Sequence, residues 1–234
     1  VTAPATSADS AYAGLDPDDV AVSNADNEPP DLIFKDGFET GSFSAWSGSA
    51  TGGGRLTVDA PSALEGSFGM SAAVTDTTAL YVQDSAPTAE TRYRVRFLLD
   101  PNGIGPVAPA TSSTIVVFAA YQTTTALPVV VVLRKTGGQY AVQAYTRLDS
   151  GALSATPAVN VTDAPHAIAF AWQRASGAGA NNGGFLLAID GATIGSLTGL
   201  DNDTGAIEAV RLGVLGLTQG TAGTLYFDSF ESRR

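Results

Sequence analysis

The stretch His166–Gly195, HAIAFAWQRASGAGANNGGFLLAIDGATIG, decides the fold. His166, Ile168, Phe170 and Trp172 alternate with Ala167, Ala169 and Ala171. One face therefore carries large side chains and the other is nearly bare, the period of two that defines a β-strand. A glycine-rich loop follows, and then a second strand, Phe185 to Ile189, that ends in Asp190-Gly191. That pair is a tight-turn signal, because glycine tolerates a positive φ. Alternation then returns from Ala192 to Leu197.

Outward from this hairpin, short alternating runs recur with Gly, Pro, Asn or Asp between them, the pattern of an antiparallel β-sandwich. Strands are expected near 55–59, 67–75, 79–84, 91–100, 113–122, 128–135, 139–147, 157–162, 166–174, 184–190, 193–198, 206–216 and 223–231, with one more opening at Ile33-Phe34. Gly137-Gly138 reads as a hairpin turn. The run Val129–Leu133 lacks alternation, so it is expected either as a central strand covered on both sides or as one whose second face meets a partner. No helical period persists in the domain, and helix is expected only as a short piece.

Residues 1–31 differ in kind. They carry Asp9, Asp16, Asp18, Asp19, Asp26, Glu28 and Asp31 with no Lys or Arg, and Pro29-Pro30 closes them. Such a segment buries too little to fold alone. It is expected to be an extended acidic tail preceding a domain at 32–234. Fully extended it spans about 100 Å, enough either to lie along its own domain or to reach a neighbouring subunit. On the strand 91–98, Arg92, Arg94 and Arg96 share one face, opposite Tyr93, Val95 and Phe97. Three like charges in a row want counter-charges. Ordinary pairing with nearby acids is one reading. The other is a docking strip, either for an acidic glycan or, as favoured here, for a subunit contact in which Asp16, Asp18 and Asp19 of one chain meet Arg92, Arg94 and Arg96 of the next.

The net charge of −11 argues against nucleic acid. There is no cysteine, which excludes a disulfide framework and thiol chemistry. No apolar run is long enough to span a bilayer as a helix. A chain opening on small polar residues, poor in lysine and rich in Thr, Ser, Gly, Ala and Asn, fits an extracellular or cell-surface protein after signal-peptide removal.

The 166–195 segment resembles the laminin-G-like jelly roll of the concanavalin A-like lectin/glucanase superfamily, in which a "WH-x-V-x-V-x-W" strand precedes an "L-x-L-x-V-D-G-x-x-V-G" hairpin. Pro165 stands here where the aromatic before the histidine is usual. Residues 36–46, DGFETGSFSAW, are similar to the "N-x-G-F-E-x-G-x-x-x-W" opening of jelly-roll carbohydrate-binding modules, and 225–231, LYFDSFE, to their closing "Y-x-D-D-F" strand. The resemblance implies an all-β, two-sheet antiparallel jelly-roll sandwich whose first and last strands lie side by side. It also implies a structural Ca²⁺ at that junction. Glu39 and Asp228 would be its side-chain ligands, Gly41 and the 66–68 turn would give carbonyls, and Asp36 would be a further ligand. Calcium accepts such hard oxygens in irregular geometry.

Catalysis is not expected from the motifs. Hydrolases of the superfamily carry an "E-x-D-x-x-E" strand, whereas the six glutamates here are scattered at 28, 39, 65, 90, 208 and 231. The sole His166 sits in the core-facing register and reads as structural. No G-x-S-x-G elbow accompanies it. Asp201–Gly205 resembles a cation loop but reads better as a polar turn. Sugar faces stack on exposed rings, for which Tyr81, Tyr121, Tyr140 and Tyr145 are the candidates. The sequence therefore points first to a non-catalytic extracellular structural subunit, a homo-oligomer or polymer joined through its tail. A carbohydrate-binding module with a glycan partner is the alternative, and a lyase or hydrolase with a degenerate site is a third reading.

Overall fold

Alternation between buried and exposed side chains along each strand sorts the chain into two layers. The computed structural model describes residues 6–11, 13–14, 31–123 and 126–234. It divides into two units, Val1–Pro30 and Asp31–Arg234. In the first, Asp9 Oδ1 accepts the Ala11 N–H at 2.9 Å and the Asp9 carbonyl accepts that of Ala13. Asp16, Asp18 and Asp19, expected at a subunit contact, lie outside the described residues.

In the second unit the chain runs through β1 (Leu32–Asp36), β2 (Gly48–Ala50), β3 (Leu56–Asp59), a 3₁₀ turn (Ala60–Ser62), β4 (Gly69–Val74), β5 (Leu80–Asp84) and β6 (Arg92–Asp100). Next come β7 (Gly105–Pro106), β8 (Ser112–Gln122), β9 (Ala126–Thr136), β10 (Gln139–Arg147), β11 (Leu153–Ala155) and β12 (Val159–Val161). The closing set is β13 (His166–Gln173), β14 (Gly183–Ile189), β15 (Ala192–Leu200), β16 (Ala209–Leu217) and β17 (Thr221–Arg233). The expected strands are present, and the short β2, β7 and β11 add to them. These have two or three residues each, too few to show a period.

Sheet one has the order β15-β14-β13-β6-β17-β4-β3, with β1 and β7 also on β17; sheet two has the order β11-β10-β9-β8-β16-β5-β2, with β12 on β10. All of the strand pairs are antiparallel. The all-β sandwich expected from the sequence is thus the observed architecture. The first and last strands do pair, with Asp36 opposite Phe230. Around that junction Trp46 stacks on Phe38 at 5.9 Å and lies 5.1 Å from Phe230.

Between the layers, Phe118 of sheet two lies 6.0 Å from Phe97 and 5.1 Å from Phe170 of sheet one. Each is buried. Burying an aromatic ring of this size contributes about 2 kcal/mol or more. This core fixes which face of each strand turns outward. The alternation on β10 is strict: Tyr140, Val142, Ala144 and Thr146 are buried, while Ala141, Gln143, Tyr145 and Arg147 face out.

Tyr140 is therefore corrected as a sugar-stacking candidate. Only 2% exposed, it donates its hydroxyl proton to the Ile104 carbonyl at 2.5 Å. The valine run is also explained. β9 is an interior strand between β8 and β10. Val129, Val131 and Leu133 enter the core, while Val130 and Val132 belong to the outer face.

Candidate functional site

The outer face of sheet two gathers polar side chains that the sequence scatters. No outward Asp or Glu occurs on β5, β8, β9, β10 or β16; their one acid, Asp84, is buried on the inner side. In a protein with 23 acids and 12 basic residues that is a selective omission. Three arginines stand on this face: Arg134 on β9, Arg147 at the end of β10 and Arg211 on β16. Among the described residues none of the three has a carboxylate within ion-pair distance.

Arg134 is held by neutral groups. Its Nη1 donates to Gln143 Oε1 at 2.5 Å and its Nη2 to the Tyr145 hydroxyl oxygen. The Tyr145 hydroxyl in turn donates to Gln143 Oε1 at 2.6 Å. Gln143 Nε2 donates to the Thr156 carbonyl at 2.8 Å, which fixes the amide with its oxygen toward the arginine. Gln143 and Tyr145 share a face because they are two apart on β10, and Arg134 reaches them because it pairs with Ala141, one step along. A guanidinium offers five N–H donors, so donors remain for a ligand.

Arg211 is held differently. Its guanidinium carbon lies 4.4 Å from the Tyr81 ring centroid and 4.6 Å from that of Tyr121. Its Nε donates to Gln83 Oε1 at 2.8 Å. Of the tyrosines expected to meet sugar, Tyr145 and Tyr121 are thus on one face with Arg134 and Arg211, and Tyr81 joins them. Arg134, Gln143 and Arg211 were not singled out by the sequence. The only signal was the two-residue spacing of Gln143 and Tyr145.

Elsewhere the expected residues have other partners. Asp36 accepts from the Phe38 N–H and from Trp46 Nε1, and burial holds its carboxyl above the usual range despite those bonds. Glu39 accepts the N–H groups of Ser67 and Phe68. Asp228 Oδ2 accepts those of Leu64 and Glu65, each at 2.9 Å, and its Oδ1 that of Ser229. Burial first, and the nearby charge of Glu39 as well, push the Asp228 carboxyl up. The 66–68 turn thus presents N–H groups to Glu39, and Gly41 donates its own N–H to the Phe38 carbonyl. A cation needs oxygens facing one another. Here the oxygens of Glu39 and Asp228 each accept backbone N–H groups.

A different acidic group is better disposed toward a metal. Asp149, Asp201 and Asp203 bring ligand oxygens within 4.8 Å of one another. Burial works against ionisation of Asp149, but bonds from Thr204 and Asp203 prevail and hold it low.

His166 Nδ1 lies 2.7 Å from Asp190 Oδ2, and its Nε2 accepts from the Thr162 N–H at 3.1 Å with the Thr162 hydroxyl at 2.9 Å. Because a backbone N–H already occupies Nε2, the ring ties a loop to a hairpin. Asn202 is 1% exposed and its Oδ1 accepts the Ala175 N–H at 2.8 Å, which anchors the 201–205 turn.

On the outer face of sheet one, Arg92, Arg94 and Arg96 are exposed as expected. Arg94 pairs with Asp31 at 3.4 Å within its own chain. Arg92 and Arg94 border a depression floored by Ala171 and Leu186. Among the described residues no helix is long and apolar enough to cross a membrane.

This architecture, a sandwich of two antiparallel sheets, is shared with several solved structures. Similar solved structures include the endo-β-1,4-glucuronan lyase of the fungus Trichoderma reesei, at 14% identity over 86% of this chain and 95% of that one, TM-score 0.62. An alginate lyase in complex with dimannuronate matches at 10% identity over 76% of this chain and 77% of that one, TM-score 0.52. A carbohydrate esterase of a Shiga toxin-encoding bacteriophage matches at 14% identity over 88% and 99%, TM-score 0.58. No family model and no curated protein sequence matches the chain. At these identities the likeness establishes the fold. It also corrects the expectation that the chain is not an enzyme. That expectation rested on a missing hydrolase motif, a histidine read as structural and an absent nucleophile elbow, whereas these solved structures are lyases and an esterase.

Proposed function

We propose that the outer face of sheet two binds an acidic polysaccharide built of uronate sugars and cleaves it by β-elimination at Arg134, Gln143 and Tyr145. The observation that carries this reading is the hydrogen-bonded Arg134–Gln143–Tyr145 cluster, positively charged and without an acid, on an open sheet face. The lyase neighbours named for glucuronan and alginate support the substrate class.

Elimination requires a proton to leave the carbon next to the sugar carboxylate. Charge then builds on that carboxylate, where Arg134 N–H groups stabilise it. The Tyr145 oxygen takes the proton once its own hydroxyl proton has left to solvent. The electron pair from the broken C–H bond forms the double bond as the glycosidic C–O bond breaks, and the same proton passes from Tyr145 to the departing oxygen. The guanidinium beside the Tyr145 oxygen offsets the negative charge there before transfer. Gln143 holds both groups in place.

Incubating the protein with polyglucuronate and alginate and following the ultraviolet absorbance of the unsaturated product tests this directly. Binding without product would leave a lectin-like role; neither would remove the reading.

The subunit-assembly reading keeps one motive, the exposed strip of Arg92, Arg94 and Arg96 facing an acidic leader on another copy. Sedimentation of the chain with and without residues 1–30 tests it: loss of larger species on deletion supports it, and a monomer in both removes it.

A further inference from the structure

Strand register places Arg211 at a defined distance from the reacting group. Tyr145 of β10 pairs with Val130 of β9, Val130 with Ala119 of β8, and Ala119 with Arg211 of β16. These four residues form one straight row across the outer face. Neighbouring strands lie about 4.8 Å apart, so Arg211 stands about 14 Å from Tyr145. Between them stand Val130 and Ala119, the shortest side chains of the row, with Ala119 1% exposed beneath its neighbours.

The Arg211 guanidinium carbon stands over the rings of both Tyr81 and Tyr121, 4.4 Å and 4.6 Å from their centroids, and Gln83 takes its Nε. What remains is the edge with the two terminal nitrogens, the part that donates two parallel bonds to a carboxylate. An arginine held against two rings and bonded through its Nε loses little freedom on binding.

We infer that Arg211 is a second carboxylate-anchoring site, a few sugars from the cleavage point, and that the polysaccharide crosses the strands along the row from Tyr145 to Arg211. This rests on the acidic-glycan reading of the face. It selects a polymer carrying carboxylates on successive sugars over one carrying a single acidic end.

Calorimetric titration of the full chain with glucuronate disaccharide and hexasaccharide, beside neutral cellohexaose, tests it. The unsubstituted protein should bind the acidic hexasaccharide more tightly than the disaccharide. Arg211→Gln should lower hexasaccharide affinity about tenfold or more, the scale of a charged hydrogen-bonded pair, and lower disaccharide affinity less. Arg134→Gln should weaken both alike.

Equal hexasaccharide affinity with and without Arg211 overturns the second anchor while leaving the face a glycan site. Failure of the unsubstituted protein to bind either acidic oligomer overturns the underlying reading instead. Should Arg211→Gln not fold, salt dependence decides. Binding of the hexasaccharide to the unsubstituted chain must fall more steeply with added salt than binding of the disaccharide, and equal slopes overturn the anchor.

Discussion

The Tyr145 hydroxyl donates to Gln143 Oε1 at 2.6 Å from two positions further along the same strand. Replacing that hydroxyl alone separates chemistry from binding. Tyr145→Phe keeps the ring over the sheet and removes the proton carrier. Product release from polyglucuronate or alginate should fall by about a hundredfold or more. Affinity measured by calorimetry should change only a few-fold, and the thermal unfolding midpoint should stay close to that of the parent.

Gln143 should be intolerant of a charge. Gln143→Glu sets a carboxylate where the amide oxygen now meets Arg134, and the resulting ion pair competes with the ligand. Affinity for acidic oligosaccharides should drop by about tenfold or more, with no loss of fold by circular dichroism.

Gly66 is fixed by geometry at the closing end of the sandwich. Its φ is +72°, and a Cβ there would stand 2.2 Å from Glu39 Oε1. Gly66→Ala should destabilise the domain by about 2 kcal/mol or more, through left-handed strain and displacement of a carboxylate that holds two backbone N–H groups. In urea denaturation the same substitution should cost less on a Glu39→Ala background, where the obstructing carboxylate is gone.

Asp84 gives stability a pH dependence of definite sign. Its Oδ1 accepts the Ala86 N–H at 2.8 Å, and its Oδ2 is buried with no partner among the described residues. Burial outweighs that bond and raises the carboxyl above its ordinary 3.8. The folded chain therefore holds this proton more tightly than the unfolded chain does. The contribution to stability is greatest below the unfolded value and declines as pH rises through the raised one. Relative to Asp84→Asn, the parent should lose ground in denaturation free energy as pH climbs from below 3.8, with the difference levelling off above the folded pKa.

Much of the fold was legible because strand period and turn residues are local. The alternation from His166 to Trp172 and the turn at Asp190-Gly191 were readable directly, and so was the junction of Asp36 with Phe230 through its flanking motifs. The site was less so. Tyr121 and Tyr145 could be named as rings, but Tyr140 was named with them, since parity along a strand shows which residues share a face and not which face is inner. Arg134 and Arg211 needed the pairing of β9 with β10 and of β16 with β8, a matter of register between distant segments. The carboxylates at 36, 39 and 228 show the converse. The motif placed them at the right junction, but the direction of the 66–68 amides, which decides what they hold, is a property of the folded turn.

The chemistry proposed here resides on a single hairpin, β9 to β10, whereas Arg211 arrives from a strand inserted between β5 and β8. An exchange of that one hairpin between sandwiches of this shape could carry the reactive trio as a cassette. The distant clamp would have to be rebuilt in each host, so preference for chain length and choice of reaction are free to evolve along separate lines.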